Sequence, residues 1–174
     1  YDLAVPAFDR YRSLVEADGA KTPFPSGYFA SGFSNSVLEH IPHIDSVLKE
    51  TARVLKKEAP FYFCVPNTRY LSELSIARVL GKPYTEWFRK ISRVHHADEP
   101  DVWRKRLERA GFELVRWWHY FSPAAMRMLE WGHYFGLPSV FARVLTGKWI
   151  ISRTEWNLWL TKKIVGKYAS PAPV

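Results

Sequence analysis

The chain has 174 residues, of which 47% are hydrophobic and one is cysteine, and its formal net charge is +8. This length suits one domain with a sizeable core, and the apolar content argues against disorder. No run approaches the ~18 apolar residues that a membrane-spanning helix needs, and the start of the chain lacks the pattern of a signal peptide. A single cysteine excludes an internal disulfide and a multi-cysteine metal cluster, so we expect a cytoplasmic protein.

Charge and tryptophan are unevenly distributed along the chain. Residues 1–60 hold 7 Lys and Arg against 8 Asp and Glu, whereas residues 61–174 hold 18 against 9 together with all eight tryptophans. A basic, aromatic-rich half indicates either an acidic partner or a solvated basic surface around a Trp-rich core, and the second interpretation is favoured. No standard nucleic-acid motif is present, so we expect no nucleic-acid partner.

Residues before 66 predict alternating strands and a helix. Apolar residues that recur at helical spacing predict a helix over Ile44–Leu55, and an unbroken apolar run predicts a strand covered on both faces. A glycine inside a predicted strand, Gly32, indicates close backbone approach. The predicted strands and turn are Arg12–Ala17, Thr22–Gly27 (turn), Tyr28–Ser34 and Phe61–Val65.

The rest of the chain predicts mostly helices. Pro100 in the first turn and Gly111 just beyond the end are typical of helix boundaries. The helices are predicted at 70–80, 84–91, 98–110, 123–135, 137–145 and 154–168, with one strand at 112–121. This order predicts an α/β fold with a mainly parallel sheet.

Several segments in order resemble one family. They are YDL at Tyr1, VEADGAKTPFPSGYF at Val15, FSNSVLEHIP at Phe33, VLKETARVLKKEAPFYFCVPN at Val47 and WRKRLERAGFEL at Trp103. Together they resemble the class I S-adenosylmethionine-dependent methyltransferases of the type 11 group. The resemblance runs from about residue 1 to residue 121, and it implies a Rossmann-like fold.

The resemblance also implies a cofactor site for S-adenosylmethionine. Asp2 falls where the family has an acid for the cofactor ribose, and Asp18 falls where an acid meets the adenine amino group. Gly19 follows in the same turn. Asn35, Ser36 and Val37 fall in the loop that lines the cofactor and acceptor pocket. From the residues alone, Asp18 is more simply explained as the start of an Asp-Gly turn.

The family's glycine-rich loop does not occur in this sequence. We therefore expect a fold that lacks its first strand, and a chain that is inactive by itself. Residues 1–121 are predicted to form the partial methyltransferase core, and residues 122–174 a helical cap or extension of the same domain.

Methyl transfer chiefly requires positioning of the acceptor, but a hydroxyl acceptor benefits from a general base. His40 is the candidate base, with packing under the loop as the alternative. Glu39 beside it, and His95 and His96 before a helix, are candidates for the acceptor site. The histidines lack a standard metal-ligand spacing, so no metal is expected.

The predicted function is therefore methyl transfer to a small-molecule, lipid or sugar-type acceptor. The alternative is a non-catalytic methyltransferase-like module whose basic, Trp-rich half binds an anionic partner. The C-terminal half also raises the option of peripheral membrane contact. The oligomeric state is not predicted.

Overall fold

The computed structural model of this protein describes residues 13–135 and, beyond them, residues 144, 145, 147 and 163. Its elements in chain order are β1 (Gly32–Asn35), a 3-10 helix (Leu38–His40), α1 (Ile44–Val54), β2 (Phe61–Cys64), α2 (Arg69–Ser72), α3 (Ala77–Leu80), α4 (Lys82–Ile91), α5 (Pro100–Ala110) and α6 (Pro123–Phe135). The helices predicted at 137–145 and 154–168 fall largely outside the described residues.

The two strands form a parallel pair joined through α1. Gly32 lies opposite Phe61 and Asn35 lies opposite Cys64. A Cβ atom added at Gly32 would lie 2.9 Å from Cδ2 of Phe61. The close approach predicted for this glycine is therefore confirmed, because the Phe61 ring fills the space that a side chain would need. The arrangement is compatible with a Rossmann-like fold.

Two compact units divide the described residues. The first contains those up to Val65 together with Asp98–Val115, and the second contains Pro66–Ala97 together with those from Arg116 onward. These units differ from the predicted domains, and the division at residue 121 remains a prediction.

The core of the first unit lies between the sheet and two helices. Its buried residues are Leu38, Ile44 and Leu48 from the first half of the chain, and Trp103 and Leu107 from α5. The rings of Phe63 and Trp103 approach to 5.2 Å between centroids. The buried apolar residues of α1 and α5 thus pack into one core, and both predicted helices are confirmed.

A buried carboxylate fixes the turn that precedes β1. Glu50 of α1 accepts hydrogen bonds from the backbone N–H and the hydroxyl of Thr22, each at 2.7 Å. It also pairs with Arg53 at 2.7 Å, and Arg53 in turn donates to the carbonyl of Phe24 at 2.8 Å. The Arg53 hydrogen bond, followed by those from Thr22, lowers the pKa of Glu50 to about 2.

The second unit is organised around another buried carboxylate. Glu130 of α6 is fully buried and accepts hydrogen bonds from the Tyr84 hydroxyl at 2.6 Å and the backbone N–H groups of Ser75 and Ile76 at 2.5 and 3.2 Å. Burial alone would raise the pKa of Glu130, but these hydrogen bonds together hold that pKa below its ordinary value. Glu130 thus connects α6 to the start of α3 and to α4.

Three secondary-structure predictions are wrong within the described residues. Residues 13–17 and 112–121 lack strand pairing, and the helix predicted over 70–80 is two short helices separated at 73–76. Leu74 lies in the core at this break. The backbone N–H groups of Ser75 and Ile76, which follow Leu74, donate hydrogen bonds to Glu130. Strand β2 is also less covered than predicted, because Tyr62 is 60% exposed.

Acid should destabilise the first unit through Glu50. Its folded pKa lies below the ordinary 4.5, so its contribution to stability is complete above about pH 4.5 and is lost as the pH falls towards 2. We expect the denaturant midpoint of the wild-type chain to fall over this interval, and that of Glu50→Gln to fall less. Glu108→Gln, an exposed substitution on α5, is the matched control. Equal acid sensitivity of wild type and Glu50→Gln would contradict this role.

Removing the Glu130 carboxylate should destabilise the second unit. Glu130→Ala removes the carboxylate that accepts hydrogen bonds from the Tyr84 hydroxyl and from two backbone N–H groups, at a cost of about 1–3 kcal/mol in the free energy of unfolding. Chemical denaturation measures this loss. The exposed Glu86→Ala on α4 is the control, and a Glu130→Ala loss no larger than that of the control would refute the assignment.

Candidate active site

Parallel pairing places the carboxyl ends of β1 and β2 at one edge of the sheet. The Cys64 thiol lies 2.6 Å from Oδ1 of Asn35 and donates to it. The backbone N–H of Ser36 donates to the Cys64 carbonyl at 3.2 Å. These contacts hold the start of the loop after β1 against the end of β2, so Asn35 and Ser36 are placed by the sheet itself.

The loop then turns sharply into the 3-10 helix. Ser36 has φ +50°, in the left-handed region that non-glycine residues seldom occupy. Such a conformation persists only where surrounding contacts impose it, and it is common at functional sites. Val37 after it is exposed, whereas Leu38 is buried in the core of the first unit. The loop is therefore anchored at both ends.

Glu39 and His40 follow on the 3-10 helix with opposite exposure. The Glu39 side chain is 4% exposed and the His40 side chain is 43% exposed. Nε2 of His40 lies 3.8 Å from Oε1 of Glu39, while Oε2 of Glu39 is buried without a hydrogen-bond partner. The geometry allows a buried carboxylate to orient an imidazole that remains accessible from solvent.

Asp18 and Gly19 form a tight turn in the same unit. Oδ1 of Asp18 accepts from the backbone N–H of Ala20 at 2.9 Å, and its carbonyl accepts from that of Lys21 at 2.9 Å. Gly19 lies next to Val47 of α1, whose methyl groups would be 3.6 Å from an added Cβ. The Asp-Gly turn is therefore present, and the Asp18 carboxylate is exposed beside it.

The other predicted site residues lie elsewhere. His95 and His96 belong to the second unit, where the carbonyl of His95 accepts a hydrogen bond from Arg89 at 2.8 Å. Asp2 lies outside the described residues. Of the predicted site residues, those between Asn35 and His40 are the ones that the structure brings together on one loop.

Cys64 is a residue of this edge that the sequence interpretation missed. Cys64 was not among the predicted site residues, yet it is only partly buried and its thiol donates a hydrogen bond to Asn35. Cys64 is the last residue of β2, which runs parallel to β1. Side chains at that end of the strands border the candidate site, so this position could have identified Cys64 as a site residue.

Within the described ranges, no group of three or more His, Cys, Asp or Glu side chains could hold a metal ion. No helix in that part of the chain is long and apolar enough to cross a bilayer.

Comparison with known protein families gives a match over the first part of the chain. Residues 4–63 match the family model described as a methyltransferase domain. This segment contains β1, α1, most of β2 and the whole loop that carries His40. The match confirms over these residues the resemblance to the class I methyltransferases of the type 11 group.

The chain is also similar to solved structures. One of them is a protein of Bacillus halodurans provisionally described as a methyltransferase, with 28% sequence identity and a TM-score of 0.45. The similarity covers 59% of this chain and 46% of that protein, so the chain spans less than half of the length of this relative. No curated protein sequence matches the chain.

Proposed function

We propose that the loop of residues 35–40 forms part of an S-adenosylmethionine-dependent methyltransferase site for a small-molecule, lipid or sugar-type acceptor. The observation that carries the proposal is the loop itself. It lies within the segment that matches the methyltransferase family, at the carboxyl edge of a parallel sheet, and it presents an accessible imidazole beside a buried carboxylate.

The residues of the first unit have the chemistry that this cofactor needs. A nucleoside requires a carboxylate or amide for its polar groups and apolar walls for its ring. Asp18 offers an exposed carboxylate, of which one oxygen serves the turn, and Asn35 offers an amide at the sheet edge. Val37 is half exposed and offers an apolar surface. When bound, S-adenosylmethionine supplies a methyl group already activated by its sulfonium centre.

His40 is proposed to act as the general base for a hydroxyl acceptor. The imidazole takes the hydroxyl proton while the acceptor oxygen forms its bond to the methyl carbon, and the carbon–sulfur bond breaks. A neutral imidazole suits this task near pH 7. Glu39 then acts as a positioning residue, because its carboxylate lies 3.8 Å from Nε2 of His40 and stabilises the imidazolium that forms.

The cofactor role of Asp18 can be separated from its role in the turn. Asp18→Asn retains an oxygen for the Ala20 N–H but loses the charge and half of the accepting capacity. We expect both Asp18→Asn and Asp18→Ala to weaken cofactor binding, by roughly 5- to 150-fold for the loss of about 1–3 kcal/mol. Calorimetric titration of the full-length protein measures this.

Glu16→Ala, an exposed acid two residues earlier, is the matched control for Asp18. If Asp18→Asn binds the cofactor as the wild type does while Asp18→Ala does not, the residue serves the turn alone, and the proposed cofactor contact is wrong.

The role of His40 is tested by single-turnover methyl transfer in the full-length protein. His40→Gln should lower the rate by roughly 10²–10⁴-fold with little change in cofactor affinity, since the base acts only in the chemical step. His43→Gln is the control, because His43 is exposed at the start of α1 and its side chain makes no cap hydrogen bond there. A loss below about tenfold would assign His40 to shaping the loop.

A further inference from the structure

The second unit carries an excess of exposed positive charge. Its residues 66–97 and 116–135 include eight Lys and Arg against three Asp and Glu, whereas the described residues of the first unit include nine against eleven. Two of the three acids in the second unit are already engaged, since Glu130 is buried and Glu73 pairs with Arg78 at 3.6 Å. Glu86 is the remaining exposed acid among the described residues of this unit.

Large apolar side chains are exposed on two helices of this unit. Val79 and Leu80 at the end of α3 are 83% and 59% exposed, and Trp87 and Ile91 on α4 are 47% and 46% exposed. Trp87 and Ile91 are four residues apart and share one face of α4. Tyr84 and Phe88 lie next to them on the helix and belong to the core. The Trp87 ring is 5.7 Å from that of Tyr84 and 6.5 Å from that of Phe88 between centroids, so Trp87 and Ile91 border the buried stripe of α4.

Two lysines accompany these apolar residues. Lys82 follows Leu80 across Gly81, whose φ of +63° turns the chain sharply from α3 into α4. Lys90 lies three residues after Trp87, next to it on the helix surface. Both lysines are exposed. Glu86, also exposed, lies four residues from each lysine and is the acid beside them. We define the α3–α4 surface by Val79, Leu80, Lys82, Trp87, Lys90 and Ile91.

We propose that the α3–α4 surface binds the interface of a membrane that contains anionic lipids. An amphipathic ring such as that of Trp87 favours the boundary between headgroups and acyl chains, and the aliphatic side chains favour the acyl region. Lysines near the surface add electrostatic attraction to anionic headgroups. The surface combines these three features, which together describe a peripheral membrane contact.

The composition of the α3–α4 surface argues against a nucleic-acid contact and against a purely solvated basic face. A nucleic-acid contact would pair cations with aromatic rings for base stacking, but exposed Val79, Leu80 and Ile91 gain nothing from phosphates or bases. A basic face that contacts only solvent would not be expected to expose four large apolar side chains as well. An anionic lipid surface explains both the exposed lysines and the exposed aliphatic side chains, so we assign the α3–α4 surface to lipid.

The test is cosedimentation of the purified chain with vesicles. We expect binding to phosphatidylcholine vesicles that contain roughly a third phosphatidylglycerol, weak binding to phosphatidylcholine alone, and a decrease at high salt. Lys82→Glu with Lys90→Glu should weaken binding about 25-fold or more, since each lost cation is worth about 1 kcal/mol, or fivefold. Trp87→Ala with Ile91→Ala should weaken it about tenfold.

The matched control is Val102→Ala with Lys105→Glu, which removes an exposed apolar residue and a lysine from α5 of the first unit. It should bind as the wild type does. Circular dichroism verifies that each variant is folded. The proposal fails if the wild type does not sediment with anionic vesicles, if the two α3–α4 variants bind as well as the control, or if an oligonucleotide is bound in place of the vesicles.

Discussion

The parallel pairing of β1 with β2 is the constraint on which the candidate site depends. Because both strands run in the same direction, Asn35 and Cys64 end at one edge, where the thiol bonds the amide and the carbonyl of Cys64 receives the N–H of Ser36. At position 32 the glycine leaves room for the Phe61 ring, whose Cδ2 would lie 2.9 Å from an added Cβ. The register of this pairing places the start of the loop that carries His40 beside the end of β2.

Local patterns predicted the elements of this region well. The helical spacing of apolar residues located α1, and Pro100 and Gly111 marked the ends of α5. The resemblance at FSNSVLEHIP placed Asn35, Ser36 and Val37 in a loop, and in the structure they lie at the end of β1 and directly after it. In each case the residues that carried the sequence pattern also form the element. Contacts with distant parts of the chain therefore did not alter the predicted structure.

The wrong predictions depend on partners that are distant in sequence. Residues 112–115 alternate between half-buried and exposed as a strand would, and Phe112 stacks on Phe61 at 5.5 Å, but no strand pairs with them among the described residues. An alternating apolar pattern indicates that one face of a segment is buried. It does not indicate whether a neighbouring strand forms hydrogen bonds with that segment. The break after α2 likewise depends on Glu130, more than fifty residues away, which satisfies the N–H groups of Ser75 and Ile76.

The two units differ in charge, and the two proposals assign them different tasks. Methyl transfer from a sulfonium cofactor needs positioning and an environment that tolerates a cation, and the first unit, with a slight excess of acids, has that character. The described part of the second unit carries eight Lys and Arg against three Asp and Glu, which favours an anionic partner over a cationic one. The electrostatic asymmetry that is visible in the sequence thus agrees with the two proposals, which place the cofactor residues in the first unit and the lipid-binding surface in the second.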